Sequence, residues 1–286
     1  MSVLFDILRS VVYGIIEGIT EWLPISSTGH MILAEQVLKF SFSDAFMEMF
    51  RVVIQLGAIL AVVVLYFKKL WPFCGDNGRD SGFARHFRWP VIKLWCKIIV
   101  ACLPAAVLGL LLDDWMDAHF YNSVVVAVML IVYGIAFILI ERRPRVPATT
   151  KLSRITYKQA IIIGAWQVLA LIPGTSRSGA TIIGGLLCGM SRACASQFTF
   201  FLAIPVMAGA SGLKLVKFLV GGGVFTVAEV GALLVGCIVA FVVSIMAIRF
   251  LMDYVKKHTF TIFGWYRIAL GILVLGIWAL QSFVLA

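Results

Sequence analysis

The chain has 286 residues, of which 62% are hydrophobic and 13% charged, and its mean hydropathy is +1.02. A soluble domain is about half apolar and about a quarter charged, so this balance excludes a soluble globular protein and predicts an all-α polytopic membrane protein. The net charge of +10 does not imply nucleic acid, because the basic residues gather in short segments between apolar runs, where they set topology. The first apolar run, residues 3–23, lacks the basic leader and small-residue cleavage site of a signal peptide, so insertion is expected to use the spans themselves. That run is a flawed span. Glu17 and Glu21 stand at i, i+4 on one helix face, Gly14 and Gly18 form a small-xxx-small face, and Pro24 stops the helix. A second short helix is expected from about Gly29 to Lys39. Neither half crosses the ~30 Å of a bilayer core, so the pair is expected to enter the membrane and turn back, with its irregular backbone buried or lining a wet cavity.

Ordinary spans are expected at about Met47–Phe67, Val91–Leu112 and Val124–Ile140. Basic residues follow the first (Lys68, Lys69, Arg79, Arg85, Arg88, Lys93) and the third (Arg142, Arg143, Arg145, Lys151, Arg154, Lys158), and the acidic Asp113, Asp114 and Asp117 follow the second. Basic loops stay cytoplasmic, so the acidic segment reads as an external loop. Residues 156–190 repeat the broken pattern: one short helix reaches Ile172, Pro173-Gly174 breaks it, and another begins near Ser178. Spans at about Ser196–Phe218, Ala228–Phe250 and Phe260–Phe283 complete the chain, with Arg249, Lys256, Lys257 and Arg267 read as a cytoplasmic loop between the last two.

The halves align at an offset of 150: Gly14 with Gly164, Glu17 with Gln167, Ser26 with Ser176, Thr28 with Ser178, Gly29 with Gly179. The expected architecture is therefore one integral membrane domain over residues 1–286, an inverted-topology repeat with six transmembrane helices and two re-entrant helix-loop-helix segments. Repeat 1 covers about 1–140 and repeat 2 about 156–286. Such repeats place a site near the midplane, where half-helix N-termini face an anion. The cysteines, Cys74, Cys96, Cys102, Cys188, Cys194 and Cys237, form no CxxC pair and no metal spacing, and they read as small hydrophobes.

Two polar knots interrupt the apolar chain: Glu17-Gly-Ile-Thr-Glu21-Trp-Leu-Pro-Ile-Ser-Ser-Thr-Gly-His30 and Pro173-Gly-Thr-Ser-Arg-Ser-Gly-Ala-Thr181. Polar groups at membrane depth are costly and usually functional. Ser26, Ser27, Thr28, Ser176 and Ser178 stand where hydroxyls cap helix N-termini, and such ends bind anions. Arg177 between serines suits a phosphate or diphosphate; the plain alternative is a structural ion pair. His30 can move a proton or attack phosphorus, and the plain alternative is a packing histidine. Glu17 and Glu21 could share a divalent cation with a bound phosphate, orient His30 or activate water; a water-exposed helix face would be the trivial reading. Gln55 and Gln167 are uncharged polar groups at depth, for which helix–helix hydrogen bonding competes with a site role.

At these residues the sequence resembles the bacterial undecaprenyl-diphosphate phosphatases, also called bacitracin-resistance proteins. The resemblance rests on the two knots and on Val53-Ile-Gln-Leu-Gly57, extends to Phe198–Pro205, and agrees in hydropathy over nearly the whole chain. It implies hydrolysis of the polyprenyl diphosphate lipid to the monophosphate, recycling the carrier for cell-wall synthesis. It also implies a multi-pass protein of the bacterial plasma (inner) membrane, a site open to the outer, periplasmic side, and a divalent cation, Mg2+ or Ca2+. Carried over residue by residue, the catalytic set is Glu17, Glu21, Ser27, His30 and Arg177, with Glu17 and Glu21 on the metal. Ser26, Thr28, Ser176, Ser178, Thr181 and Gln55 are expected around the substrate. The nucleophile stays open among His30, Ser27 and water, and the reading leaves room for a homodimer. At Arg51 the chain departs from the family pattern, in which an acidic residue often precedes the Val-Val-Ile-Gln run. Two rival functions fit the same residues: a flippase or transporter of the polyprenyl phosphate, which needs an anion site but no reacting histidine, and a general phosphatase acting on other esters.

Overall fold

The computed structural model describes residues 2–38, 40–74, 86–142 and 146–284. Lys39, Arg79, Arg85, Arg143 and Arg145, and the side chains of Asp113, Asp114 and Asp117, lie outside the described residues. The described part is all-helical: α1 (Ser2–Thr20), α2 (Ser27–Val37), α3 (Asp44–Val53), α4 (Gln55–Leu65), α5 (Phe67–Leu70), α6 (Trp89–Phe120), α7 (Ser123–Glu141), α8 (Tyr157–Val168), α9 (Arg177–Leu187), α10 (Arg192–Val220), α11 (Val227–Lys257) and α12 (Thr261–Val284). Among the described residues six segments are long and apolar enough to cross a bilayer: Asp44–Leu65, Trp89–Leu112, Ser123–Glu141, Arg192–Val220, Val227–Lys257 and Thr261–Ser282. Their outward faces stay greasy. Val128, Val132, Ile135 and Leu139 make one exposed stripe on α7, and Leu234, Ile238 and Val242 another on α11, which suits lipid and not water.

Both expected breaks have one chemical cause. Pro24 has no N–H to give the carbonyl of Thr20, the last residue of α1, and Pro173 has none for Leu169, just after α8 ends at Val168. The chain then turns and restarts at α2 and α9, each capped by a serine. Ser26 Oγ accepts from Gly29 N–H and Ser176 Oγ from Gly179 N–H. Both serines adopt positive φ, 72° and 70°, a conformation that costs a non-glycine residue about 1–3 kcal/mol and is held only where surroundings over-determine it.

The two ends of each broken pair are tied together. Asp6 near the start of α1 accepts from Ser41, just beyond α2, through both Ser41 N–H and Oγ–H. Before α8, Thr149 pairs with Met190 beyond α9, and Ser191 N–H donates to Thr149 O at 2.9 Å. The packing crosses between halves: α1 lies along α11, α8 along α6, and α7 along α12. Glycines permit this. A Cβ on Gly164 would lie 2.3 Å from Ala101 O, and one on Gly14 2.7 Å from Gly236 O. Backbone cannot retreat as a flexible side chain can, so Gly164→Ala should destabilise the α6–α8 contact by about 1–3 kcal/mol. Detergent-solubilised unfolding would show it as a lowered midpoint; an unchanged midpoint would mean that the helices part without cost.

Three features differ from expectation. α6 continues to Phe120, so Asp113, Asp114 and Asp117 belong to a helical extension and not to a loop; no glycine or proline stops the helix after Leu112. The first span is broken at Ile54, where Gly57 N–H turns back to Ile54 O. The carbonyls thereby freed accept from elsewhere, Val52 O from Ser211 Oγ and Val53 O from Cys237 Sγ. Arg267 marks no loop: it lies inside α12 and is fully buried.

Candidate functional site

The restart of α2 and the restart of α9 meet around one ion pair. Arg177 Nη2 lies 2.8 Å and Nε 3.2 Å from Glu21 Oε1, while Nη1 donates to Thr199 O at 3.5 Å. The other carboxylate oxygen of Glu21 accepts from Ser27 Oγ at 3.2 Å. Both charged side chains are nearly enclosed, 8% exposed for Glu21 and 12% for Arg177. The water-exposed reading of the glutamates therefore fails. Arg177 does form the ion pair weighed as its plain alternative, and its partner is a glutamate of the first knot.

Around this pair lie the remaining predicted groups. Ser176 Oγ and Ser178 Oγ are 3.1 Å apart, and Ser178 Oγ reaches back to Leu23 O at 3.4 Å. Thr181 Oγ1 donates to Arg177 O, and Thr199 Oγ1 donates to Thr181, so a hydroxyl chain stiffens the arginine's backbone from behind. Thr28 is half-buried in the first turn of α2. His30 Nδ1 stands 2.7 Å from Ser26 O, and Nε2 stands 2.7 Å from the phenol oxygen of Tyr266. Glu17, one turn before Glu21, is 1% exposed, and its Oε1 has no hydrogen-bond partner. Gln167, its counterpart in the second half, is likewise buried with both amide atoms unpartnered. Gln55 heads α4, half-buried, and no hydrogen bond joins it to these residues. Arg51 pairs with Glu35 on α2, apart from Glu21.

Two residues escaped the sequence reading. The Arg267 guanidinium donates to Gly174 O and Thr175 O, both at 2.9 Å, and to Pro24 O at 3.2 Å, with longer contacts to Met129 O and Leu130 O. Its Cζ lies 5.5 Å from the Tyr133 ring centre. One side chain thus fastens both breaker turns to α7 and α12. Tyr266 precedes it and contacts His30. The available signal was an arginine inside an otherwise apolar run, which is functional by default at membrane depth.

The donor set is hard oxygen: two carboxylates, several hydroxyls, and no cluster of three or more His, Cys, Asp or Glu among the described residues. An orphaned buried carboxylate oxygen on Glu17 fits a hard cation that takes its other ligands from a bound phosphate and water. The helix ends, each with free N–H groups, and the buried arginine suit an anion.

Six apolar spans around a polar cluster built from two broken-helix segments define an all-helical, multi-pass integral membrane protein. More narrowly, the chain belongs to the bacitracin resistance protein BacA family, which matches residues 10–273. It is similar over nearly its whole length to proteins named undecaprenyl-diphosphatase. That of Enterococcus faecalis is 58% identical over 275 residues, covering 96% of this chain and 98% of the relative. That of Desulfitobacterium hafniense is 59% identical over 278 residues, with 95% and 96% covered. That of Streptococcus sanguinis is 59% identical over 272 residues, with 94% of each covered.

Proposed function

We propose that the protein hydrolyses undecaprenyl diphosphate to undecaprenyl phosphate and phosphate, recycling the lipid carrier for cell-wall synthesis and so conferring bacitracin resistance. The observation that carries this reading is the Ser27–Glu21–Arg177 constellation at the starts of α2 and α9, in a chain that is similar to the named diphosphatases over nearly its whole length. Arg177 and the α9 start bind the terminal phosphate. Of the candidates left open by the sequence, His30, Ser27 and water, Ser27 is taken as the nucleophile because its Oγ is hydrogen-bonded to a carboxylate. Its Oγ bonds to the terminal phosphorus as its proton passes to Glu21 Oε2, and the bond from phosphorus to the bridging oxygen breaks, releasing undecaprenyl phosphate with the electron pair. Water then attacks the phosphoseryl group, giving its proton to His30 Nε2. Ser27 Oγ leaves as phosphate is released and recovers its proton from Glu21. Charge developing on the phosphoryl oxygens is met by fixed N–H groups and the guanidinium. A magnesium or calcium ion would be held by Glu17, through its open oxygen, and Glu21, and when bound it neutralises phosphate charge.

The same reading includes the inverted repeat. Supporting it are the paired positive-φ serines 150 residues apart, the matching caps, and the exchanged packing of α1 on α11 and α8 on α6. The tied feet of each broken pair support re-entrance from opposite faces. With the basic residues at the end of α5, the start of α8 and the end of α11 placed inside, the α1–α2 pair opens outward, so the site faces the outer side of the plasma membrane.

The test is phosphate release from undecaprenyl diphosphate by purified protein, with and without magnesium. Glu21→Gln and Ser27→Ala are each expected to lose at least about 100-fold, the scale of a lost acid–base or nucleophilic partner. Acid quenching of the reaction run with diphosphate labelled in its terminal phosphate should trap label on the wild type and none on Ser27→Ala. Wild type without release would overturn the enzyme, and release by Ser27→Ala at the wild-type rate would overturn the nucleophile.

A further inference from the structure

The hydrogen bonds of His30 fix its tautomer. A carbonyl oxygen only accepts, so with Ser26 O 2.7 Å away, Nδ1 carries the proton. In the neutral ring Nε2 then holds a lone pair, and the phenol 2.7 Å from it must be the donor. The two ring planes lie 8° apart with centroids separated by 5.7 Å. Nothing about this pair is accidental in position. Ser26 holds φ 72° and anchors the start of α2, which aims its carbonyl. The next residue after Tyr266 is Arg267, locked to both breaker turns. The backbone on each side of the Tyr266–His30 bond is therefore pinned to the same frame as Glu21 and Arg177. Tyr266 itself is 46% exposed, and the Nε2–phenol contact lies on the exposed side of the imidazole while the Nδ1–carbonyl contact is partly buried.

We propose that Tyr266 is a positioning residue for the hydrolytic step: its phenol holds His30 as the Nδ1–H tautomer and presents the Nε2 lone pair at the mouth of the site, giving it up when a phosphate and water arrive. This rests on the diphosphatase reading for the step served, but the hydrogen bond itself is testable without it. A tyrosine that only packs would fill the same space without its hydroxyl mattering.

The decisive variant is Tyr266→Phe, which removes one oxygen from a half-exposed position. In the full-length protein in micelles, kcat for phosphate release is expected to fall about 10–100-fold, reaching at most the lower limit of the range for a general acid–base group itself, as befits a residue that acts through His30, with KM within about twofold. In parallel, nitrogen-15 spectra of histidine-labelled protein, with His30 assigned by difference from His30→Gln, should show wild-type Nε2 as a hydrogen-bonded acceptor and the Tyr266→Phe signal displaced toward a free or tautomer-mixed ring. Unchanged kcat with an unchanged Nε2 signal overturns the proposal. A fall in kcat with an unchanged signal and a lowered unfolding midpoint overturns it too, in favour of packing. If the wild type releases no phosphate, the diphosphatase reading fails alone, and the nitrogen spectra still decide whether Tyr266 sets the tautomer.

Discussion

Arg177→Lys is expected to cut phosphate release by about 10³-fold while leaving the unfolding midpoint close to wild type. The rate loss follows from geometry, since both residues carry the same charge. A guanidinium has five N–H donors, and three are used here, two on Glu21 Oε1 and one on Thr199 O. Two remain for a phosphate, held in a plane set by the other three. Lysine replaces that fork with a point charge that keeps at most the Glu21 contact, so it loses both the bidentate match and the anchoring from Thr199. Removing a preorganised arginine from a phosphoryl-transfer site typically costs 10³–10⁵-fold. Stability behaves differently, because lysine still neutralises Glu21. Arg177→Ala does not: it strands a buried carboxylate one turn from a second buried one, at a cost of about 3–5 kcal/mol. The lysine variant thus separates chemistry from folding. Phosphate release within tenfold of wild type would show that charge alone suffices and that the fork has no catalytic part. The Glu21→Gln, Arg177→Lys double variant should be little worse than either single one, since the pair acts as a unit.

How legible this site was depends on where each residue's partners lie. The breaks at Pro24 and Pro173 could be read directly, because a missing N–H acts within four residues of itself. The common face of Glu17 and Glu21 follows from helical spacing, and an arginine between serines in a breaker turn announces an anion. Hydropathy places the spans to within a few residues, except where a helix continues past its apolar run, as α6 does to Phe120 and α11 to Lys257. Longer-range features had no such local signature. Pro24 and Arg267 are 243 residues apart, and Arg267 stands only ten residues after Lys257, so a rule that counts basic residues near span ends claimed it for topology. The break at Ile54 is equally silent, since its freed carbonyls are met by Ser211 and Cys237 on distant helices. That break also sets Gln55 at the head of α4, with no hydrogen bond to Glu21, Ser27 or Arg177.

Arg267→Met should abolish most activity, by at least about 100-fold, with a smaller effect on stability than its five hydrogen bonds imply. Met129 and Leu130 belong to α7 and have helical partners for their carbonyls. The turn carbonyls of Pro24, Gly174 and Thr175 have no such partners: among the described residues Arg267 is their donor. Stranding three buried carbonyls costs about 1–3 kcal/mol each. Against this, methionine no longer buries a guanidinium that has no carboxylate partner among the described residues, which relieves several kcal/mol. The two effects largely offset, so the midpoint falls only modestly. Position does not offset. Arg267 joins the two turns that launch α2 and α9, and those launches place Ser27 against Glu21 and Arg177. A displacement near 1 Å at a reacting centre is worth about 10²-fold. Arg267→Lys keeps the charge but cannot span turns that need separate donors, so it should recover less than tenfold of the loss. Phosphate release and unfolding, measured on the same preparations, check both statements. A methionine variant with wild-type turnover would mean that the cross-turn bond from Ser178 to Leu23 and the two serine caps hold the site unaided, and that Arg267 is a structural cation whose removal the fold absorbs.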